Sequence, residues 1–132
     1  MAFEYDKQIL KTSICSGIPN GARDANGIPT KTPAGEFRIM DKMPNKHMGN
    51  GNLFADFTDY ELPGVPWTCF FTDKGHAFHG TYWHENYGVP MSRGCINMRT
   101  EEAKWLFRWA KPDHQIGKTY NRGFGTLVRI YY

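Results

Sequence analysis

The sequence predicts a single, mostly β domain with one sizeable helix, and three observations support this. A length of 132 residues fits one domain and leaves little room for a second. Fourteen Gly and 8 Pro are many for this length, which favours short strands joined by turns. Hydrophobic residues make up 40% and aromatic residues 15% of the chain, which is enough for a core and excludes general disorder.

The first half is predicted to contain short strands separated by polar loops. Residues 3–16 have the β-rich flanks and polar centre of a hairpin, and 17–31 are rich in the residues of loops. A turn at 32–35 is followed by a strand at 37–40. The polar, glycine-rich stretch 41–62 is predicted to be a long loop, and loops of that length usually have a function.

In the second half, strands are predicted at 65–72, 77–80 and 126–131, with a loop at 82–92. The one predicted helix runs from about residue 101 to 110. Its N-cap is expected at Thr100, and Pro112 ends it. The helix face expected to pack on the sheet consists of Ala103, Leu106, Phe107 and Ala110.

Charge and hydropathy limit the partners. The 16 Lys and Arg residues exceed the 13 Asp and Glu residues by only three, which is too little to indicate nucleic-acid binding. No apolar run is long enough to span a bilayer, and no basic-then-apolar segment opens the chain. The sequence therefore predicts neither a membrane span nor a signal peptide.

The three cysteines differ in their surroundings. Cys15 and Cys69 lie in strand-like apolar segments and are expected to be buried, inert thiols. Cys95 instead follows a glycine, which allows a sharp turn and lets backbone N–H groups converge as an oxyanion hole requires. A free thiol has a pKa of ~8.5 and needs a neighbouring base or cation, so we expect a catalytic Cys95 to have a lowered pKa. His79, at the end of a predicted strand, is a rigidly held candidate base, although a Cys and a His alone are more often structural.

Two ordered motifs carry a resemblance. Residues 79–81 (His-Gly-Thr) and 92–98 (Ser-Arg-Gly-Cys-Ile-Asn-Met) together resemble the signature of the L,D-transpeptidase catalytic domain, the YkuD family. Upstream, 32–39 resembles the family's Thr-Pro-x-Gly-x-Phe segment, and residues 16–17 resemble the Ser-x-Gly that precedes it. With the closing strand at 125–128, the resemblance covers nearly the whole chain.

The resemblance implies a β-sandwich-like catalytic domain over residues 1–132, with its main helix after the Cys motif and its first family strand shortened or missing. It implies that a Cys thiolate attacks the L,D peptide bond of a peptidoglycan tetrapeptide stem and forms a thioester. The acyl group then passes to an amine of a second stem peptide, giving a 3→3 cross-link. Carbapenem β-lactams are the implied inhibitors. No cofactor or metal is implied.

The resemblance also assigns roles. Cys95 is the implied nucleophile, His79 the base and then the acid, and the Gly80 carbonyl the third member of the catalytic group. The oxyanion hole and motif loop are assigned to Ser92, Arg93 and Gly94, together with the backbone around Cys95. Many members have His in place of Arg93. The candidate substrate-binding residues are Tyr82, Trp83, His84, Asn97 and Arg99; for Asn97 and Arg99, holding the loop is the open alternative.

Several alternatives compete with these assignments. His84 could be the base, but it lies in a loop outside the His-Gly-Thr motif. Strand alternation predicts that His76 points away from the site. A zinc site made of Cys95, His79 and His84 would lack a fourth ligand. Residues 46–60 are expected to form a wall of the channel leading to Cys95.

The function also has alternatives. Water as the acceptor would make the protein an L,D-carboxypeptidase, and loss of catalysis would leave a β-sandwich module that binds cell-wall peptide. The substrate implies a place outside the cytoplasm, in the cell envelope or periplasm. Since no signal peptide is predicted, we expect this chain to be a domain excised from a longer exported protein.

Overall fold

The computed structural model describes residues 1–24, 27–49, 61–118 and 121–132. Over these residues the fold is mostly β with one helix, as the sequence predicts. The elements are β1 (Ala2–Glu4), β2 (Lys7–Leu10), β3 (Gly35–Arg38), β4 (Asp41–Gly49), β5 (Glu61–Phe70), β6 (Ala77–Gly80), β7 (Ile96–Met98), α1 (Thr100–Trp109), β8 (Asn121–Arg122) and β9 (Leu127–Ile130).

The central sheet has five strands in the order β7-β6-β5-β4-β8. β6 and β7 run parallel, whereas β5 pairs antiparallel with both of its neighbours. Two further antiparallel pairs, β1 with β2 and β3 with β9, complete the described sheets. None of the described helices is long and apolar enough to cross a membrane.

Helix α1 packs against β5 and β6 on one face of the central sheet. Its predicted apolar face is buried and packs in one cluster with Ile96 and Met98 of β7. Because side chains alternate along a strand, the residues next to these point to the opposite face. That opposite face carries the functional candidates. The helix begins at Thr100 with Arg99 at the N-cap, so the predicted cap was wrong by one residue.

The predicted long loop at 41–62 was largely wrong. β4 and β5 pair from Asp41–Phe70 to Gly49–Glu61, so residues 41–49 and the start of β5 form a hairpin instead. A buried lysine made the start of this segment look like a polar loop. Lys42 is completely buried, and its Nζ donates to the carbonyl oxygens of Ala110 at 2.7 Å and Pro112 at 2.8 Å. The predicted channel wall lies outside the described residues for positions 50–60.

Candidate active site

Three paired segments place a row of side chains on the sheet face opposite α1. In the parallel register of β6 and β7, His79 lies opposite Asn97. On its other side, Asn97 forms a bridge with Cys15, with backbone N–O distances of 3.0 and 2.9 Å. Directly paired residues point to the same face, so His79, Asn97 and Cys15 form one row. Cys95, two residues before Asn97, comes beside Ala77 on this face.

His79 has a defined tautomer. Its side chain is 1% exposed, and Nδ1 lies 3.0 Å from the carbonyl oxygen of Gly80. Because a carbonyl only accepts hydrogen bonds, Nδ1 carries the proton and Nε2 has a free lone pair. Burial lowers the pKa of His79 to about 4; the Gly80 bond opposes this shift, and nearby His84 adds to it. His79 is therefore neutral at physiological pH.

The loop of residues 82–88 covers this row. The ring of Trp83 lies 5.8 Å from that of His79, between centroids. At the other end, the Cys15 thiol donates to the carbonyl oxygen of Asn86 at 2.9 Å. The loop thus shields the histidine from water, which explains the direction of its pKa shift.

His84 contacts the middle of the row. Its Nδ1 accepts the Asn86 N–H at 3.2 Å, so in the neutral imidazole Nε2 must carry the proton. The Asn97 side-chain amide lies 3.1 Å from Nε2. The amide atom at this distance is Nδ2; exchanging the positions of the amide nitrogen and oxygen lets Nε2–H donate to the oxygen of Asn97. The Nδ1 bond therefore braces the loop internally, and the Nε2 contact joins the loop to the sheet.

Cys95 is partly exposed on the loop that precedes β7. Its sulfur lies 3.7 Å from the carbonyl oxygen of Gly75 and receives a backbone hydrogen bond from Ala77. Burial of the sulfur raises the pKa of Cys95 to about 11, although the Ala77 bond opposes the shift. The expectation of a lowered Cys95 pKa was wrong. Among the described residues, no cation lies close enough to the thiol to offset the effect of burial.

The motif loop is held by its own serine. The Ser92 hydroxyl donates to the carbonyl oxygen of Cys95 and accepts the Gly94 N–H at 3.2 Å. The Gly94 N–H is therefore already used and does not point freely at a substrate. The Cys95 N–H, in contrast, has no acceptor among the described residues.

Comparisons with known proteins show the family of the chain. The family model of the YkuD L,D-transpeptidase catalytic domain matches residues 1–130. The chain belongs to the YkuD family.

Individual relatives of this YkuD domain carry the same description. A Bacillus subtilis (strain 168) protein named "Putative L,D-transpeptidase YqjB" is 34% identical over 82 residues, covering 58% of this chain and 46% of that protein. A cysteine-to-serine mutant of an Enterococcus faecium L,D-transpeptidase is 28% identical, with a TM-score of 0.59 over 76% of this chain and 37% of its own. The L,D-transpeptidase LdtMt1, solved with imipenem, is 26% identical, with a TM-score of 0.57 over 72% and 42%. The matches therefore span less than half of these relatives.

The candidate substrate-binding residues of this YkuD domain fall into two groups. Asn97 lies in the row, Trp83 and His84 contact it, and Tyr82 lies beside Trp83 at 4.8 Å between ring centroids. Arg99 lies apart. Its guanidinium is 4.5 Å from the centre of the Tyr87 ring and 3.6 Å from Glu102 on α1, and it donates to Thr12 at 3.4 Å.

Two residues that contact the motif loop were not assigned to the site from the sequence. His76 was predicted to point away, but it precedes the first residue of β6, so strand alternation does not apply. Its ring lies against Gly94 so closely that a Cβ there would come within 2.8 Å of it. The Thr32 hydroxyl donates to the carbonyl oxygen of Gly94. Thr32 is the first residue of the upstream Thr-Pro-x-Gly-x-Phe segment, and that segment was the sequence signal that could have identified it. Within the described parts of the chain, no three His, Cys, Asp or Glu side chains are grouped to hold a metal.

Proposed function

We propose that this domain is a peptidoglycan L,D-transpeptidase in which Cys95 is the nucleophile and His79 the general base. The observation that carries the proposal is the hydrogen bond from His79 Nδ1 to Gly80, which leaves Nε2 as a proton acceptor on the sheet face of Cys95. Membership of the YkuD family supports the substrate class. The peptide stems lie outside the cytoplasm, so we place the domain in the cell envelope.

The acylation step follows from these groups. Cys95 sulfur attacks the carbonyl carbon of the L,D peptide bond of a tetrapeptide donor while His79 Nε2 takes the thiol proton. The carbonyl oxygen gains a negative charge, for which the Cys95 N–H is the available donor. The C–N bond then breaks, and His79 returns the proton to the leaving D-amino acid. A thioester on Cys95 remains.

Transfer reverses the proton path. An amine of a second stem peptide attacks the thioester, gives its proton to His79 and forms the new amide bond. The C–S bond breaks, and the Cys95 sulfur regains a proton. If water takes the place of the amine, the same steps hydrolyse the thioester.

The pKa values favour proton transfer during attack over a preformed ion pair. The thiol has a pKa of about 11 and the imidazole a pKa of about 4. Burial thus favours the neutral thiol and the neutral imidazole over the thiolate–imidazolium pair in the free protein. The proton therefore moves to Nε2 as the C–S bond forms.

Acylation by imipenem tests the nucleophile. Intact-protein mass spectrometry should show one adduct, located on the peptide that contains Cys95, and Cys95→Ala should abolish it. Cys69→Ala is the matched control: Cys69 is fully buried and should lose about 1 kcal/mol of stability while keeping the adduct. An adduct that persists in Cys95→Ala would refute the assignment.

A second measurement tests the transfer. Mixing the protein with a tetrapeptide stem and a diamino-acid amine should release D-alanine and yield the amide product. Release of D-alanine with only the tripeptide acid as product would show that water is the acceptor, which would make the domain an L,D-carboxypeptidase.

A further inference from the structure

Thr32 connects two segments behind the motif loop. Its side chain is 1% exposed, and its Oγ accepts the Gly17 N–H at 2.8 Å and donates to the carbonyl oxygen of Gly94 at 2.9 Å. Both partners are buried backbone groups. The hydroxyl therefore has one acceptor role and one donor role, and both are filled.

The bond to Gly94 fixes the direction of a whole peptide unit. In a planar trans peptide the carbonyl and the following N–H point in opposite directions. Holding the Gly94 carbonyl toward Thr32 therefore turns the Cys95 N–H away from Thr32. That N–H has no acceptor among the described residues, as an oxyanion donor requires.

This peptide unit needs a restraint. Gly94 has φ of +113°, and a glycine can rotate its flanking peptides at little steric cost. Gly17 and His76 confine its position: a Cβ on Gly17 would lie 2.8 Å from the Gly94 backbone. Those contacts limit where Gly94 sits. The Thr32 hydroxyl is the group, among the described residues, that bonds its carbonyl and sets the orientation.

We propose that Thr32 is a positioning residue for acylation, because its hydroxyl holds the Gly94–Cys95 peptide with the Cys95 N–H aimed at the developing oxyanion. The proposal rests on the proposed function. Thr32 does not touch the substrate; it acts through the Gly94 carbonyl, from the face of the loop opposite to that N–H.

Two reactions of the Cys95 sulfur distinguish the positioning role of Thr32 from a general structural role. Acylation by imipenem passes through a tetrahedral oxyanion, whereas alkylation by iodoacetamide displaces iodide at a saturated carbon and forms none. Cys15 and Cys69 are fully buried, so alkylation of the folded protein reports on Cys95. The ratio of the acylation rate to the alkylation rate at saturating imipenem therefore removes the reactivity of the thiol, which both reactions share, and reports on stabilisation of the oxyanion.

Thr32→Val should lower this ratio about 10- to 100-fold, somewhat less than the roughly 10²–10³-fold loss when an oxyanion donor is removed outright. Thr32→Ser retains the hydroxyl and should restore the ratio to within about 3-fold of the original. If Thr32→Val does not fold, Thr32→Ala removes the same hydroxyl with less bulk and is read in the same way.

Thr30→Val is the matched control. Thr30 is also buried, and its hydroxyl bonds to the carbonyl oxygens of Ile18 at 3.0 Å and Ala22 at 3.2 Å, not to the motif loop. It should lose stability without a change in the ratio. An unchanged ratio in Thr32→Val, or an equal fall in Thr30→Val, would overturn the positioning role. Failure of the unmodified protein to form any adduct would instead overturn the proposed function.

Discussion

The base and the nucleophile of the candidate site are held in opposite ways. His79 lies within strand β6, bonds to the carbonyl of the next residue and is covered by a loop that begins three residues later. Cys95 lies on a turn that Ser92 braces locally, and the other neighbours that hold this turn are the distant residues 17 and 32. The histidine geometry is thus local in sequence, whereas the cysteine geometry depends on tertiary folding. Substitutions far from the motif in the sequence should therefore affect the geometry of Cys95 more than that of His79.

The largest effect should come from removing the base. His79→Asn keeps a donor for the Gly80 carbonyl but has no group at Nε2, so acylation by imipenem should fall about 10²–10⁴-fold. His84→Asn, which only loosens the covering loop, should change the rate by less than about 10-fold. Stopped-flow kinetics of both variants at pH 7 makes the comparison. A larger loss in His84→Asn would show that His84, not His79, is the base.

The same local character determined what the sequence could predict. Periodicity and composition predict the strand 77–80, the buried face of α1 and the burial of Cys15 and Cys69, and all of these appear in the structure. The Thr32 bond joins residues 62 positions apart, and no local pattern encodes it. The burial of Lys42 could not be predicted for a similar reason, because the carbonyl groups that accept its hydrogen bonds lie 68 and 70 residues away in the sequence.

The second-largest effect should be a loss of folding stability at low pH, caused by the buried His79. Between pH 6.5 and about 4 the unfolded chain binds a proton at residue 79, whereas the native His79 stays neutral. Stability should therefore fall as pH is lowered through this window, by about 3 kcal/mol in total. The buried His76, whose pKa is also lowered chiefly by burial, adds a loss of the same sign.

Urea unfolding at pH 7, 5.5 and 4.5 measures this loss, and His79→Asn supplies the control because it has no group that titrates there. The variant should lose much less stability between pH 7 and 4.5 than the unmodified protein does. Equal losses would mean that His79 is protonated in the native state and that the buried neutral imidazole is wrong.

The smallest effect tests how tightly the cysteine side is packed. Gly94→Ala strains a backbone with φ of +113° and places a Cβ 2.8 Å from the ring of His76, which cannot retreat freely because its Nδ1 bonds to Thr72. Gly88 has a similar φ of +104° but open space around a Cβ, so Gly88→Ala measures the strain alone. We expect losses of about 2 and about 1 kcal/mol, respectively, in thermal unfolding.

A double-mutant cycle between Gly94→Ala and His76→Ala isolates the contact. With the ring removed, alanine at position 94 should cost no more than alanine at position 88, because only the backbone strain remains. If the cost stayed near 2 kcal/mol without the ring, His76 would not confine the motif loop. The nucleophile would then depend on the hydrogen bonds of Ser92 and Thr32 rather than on packing from behind.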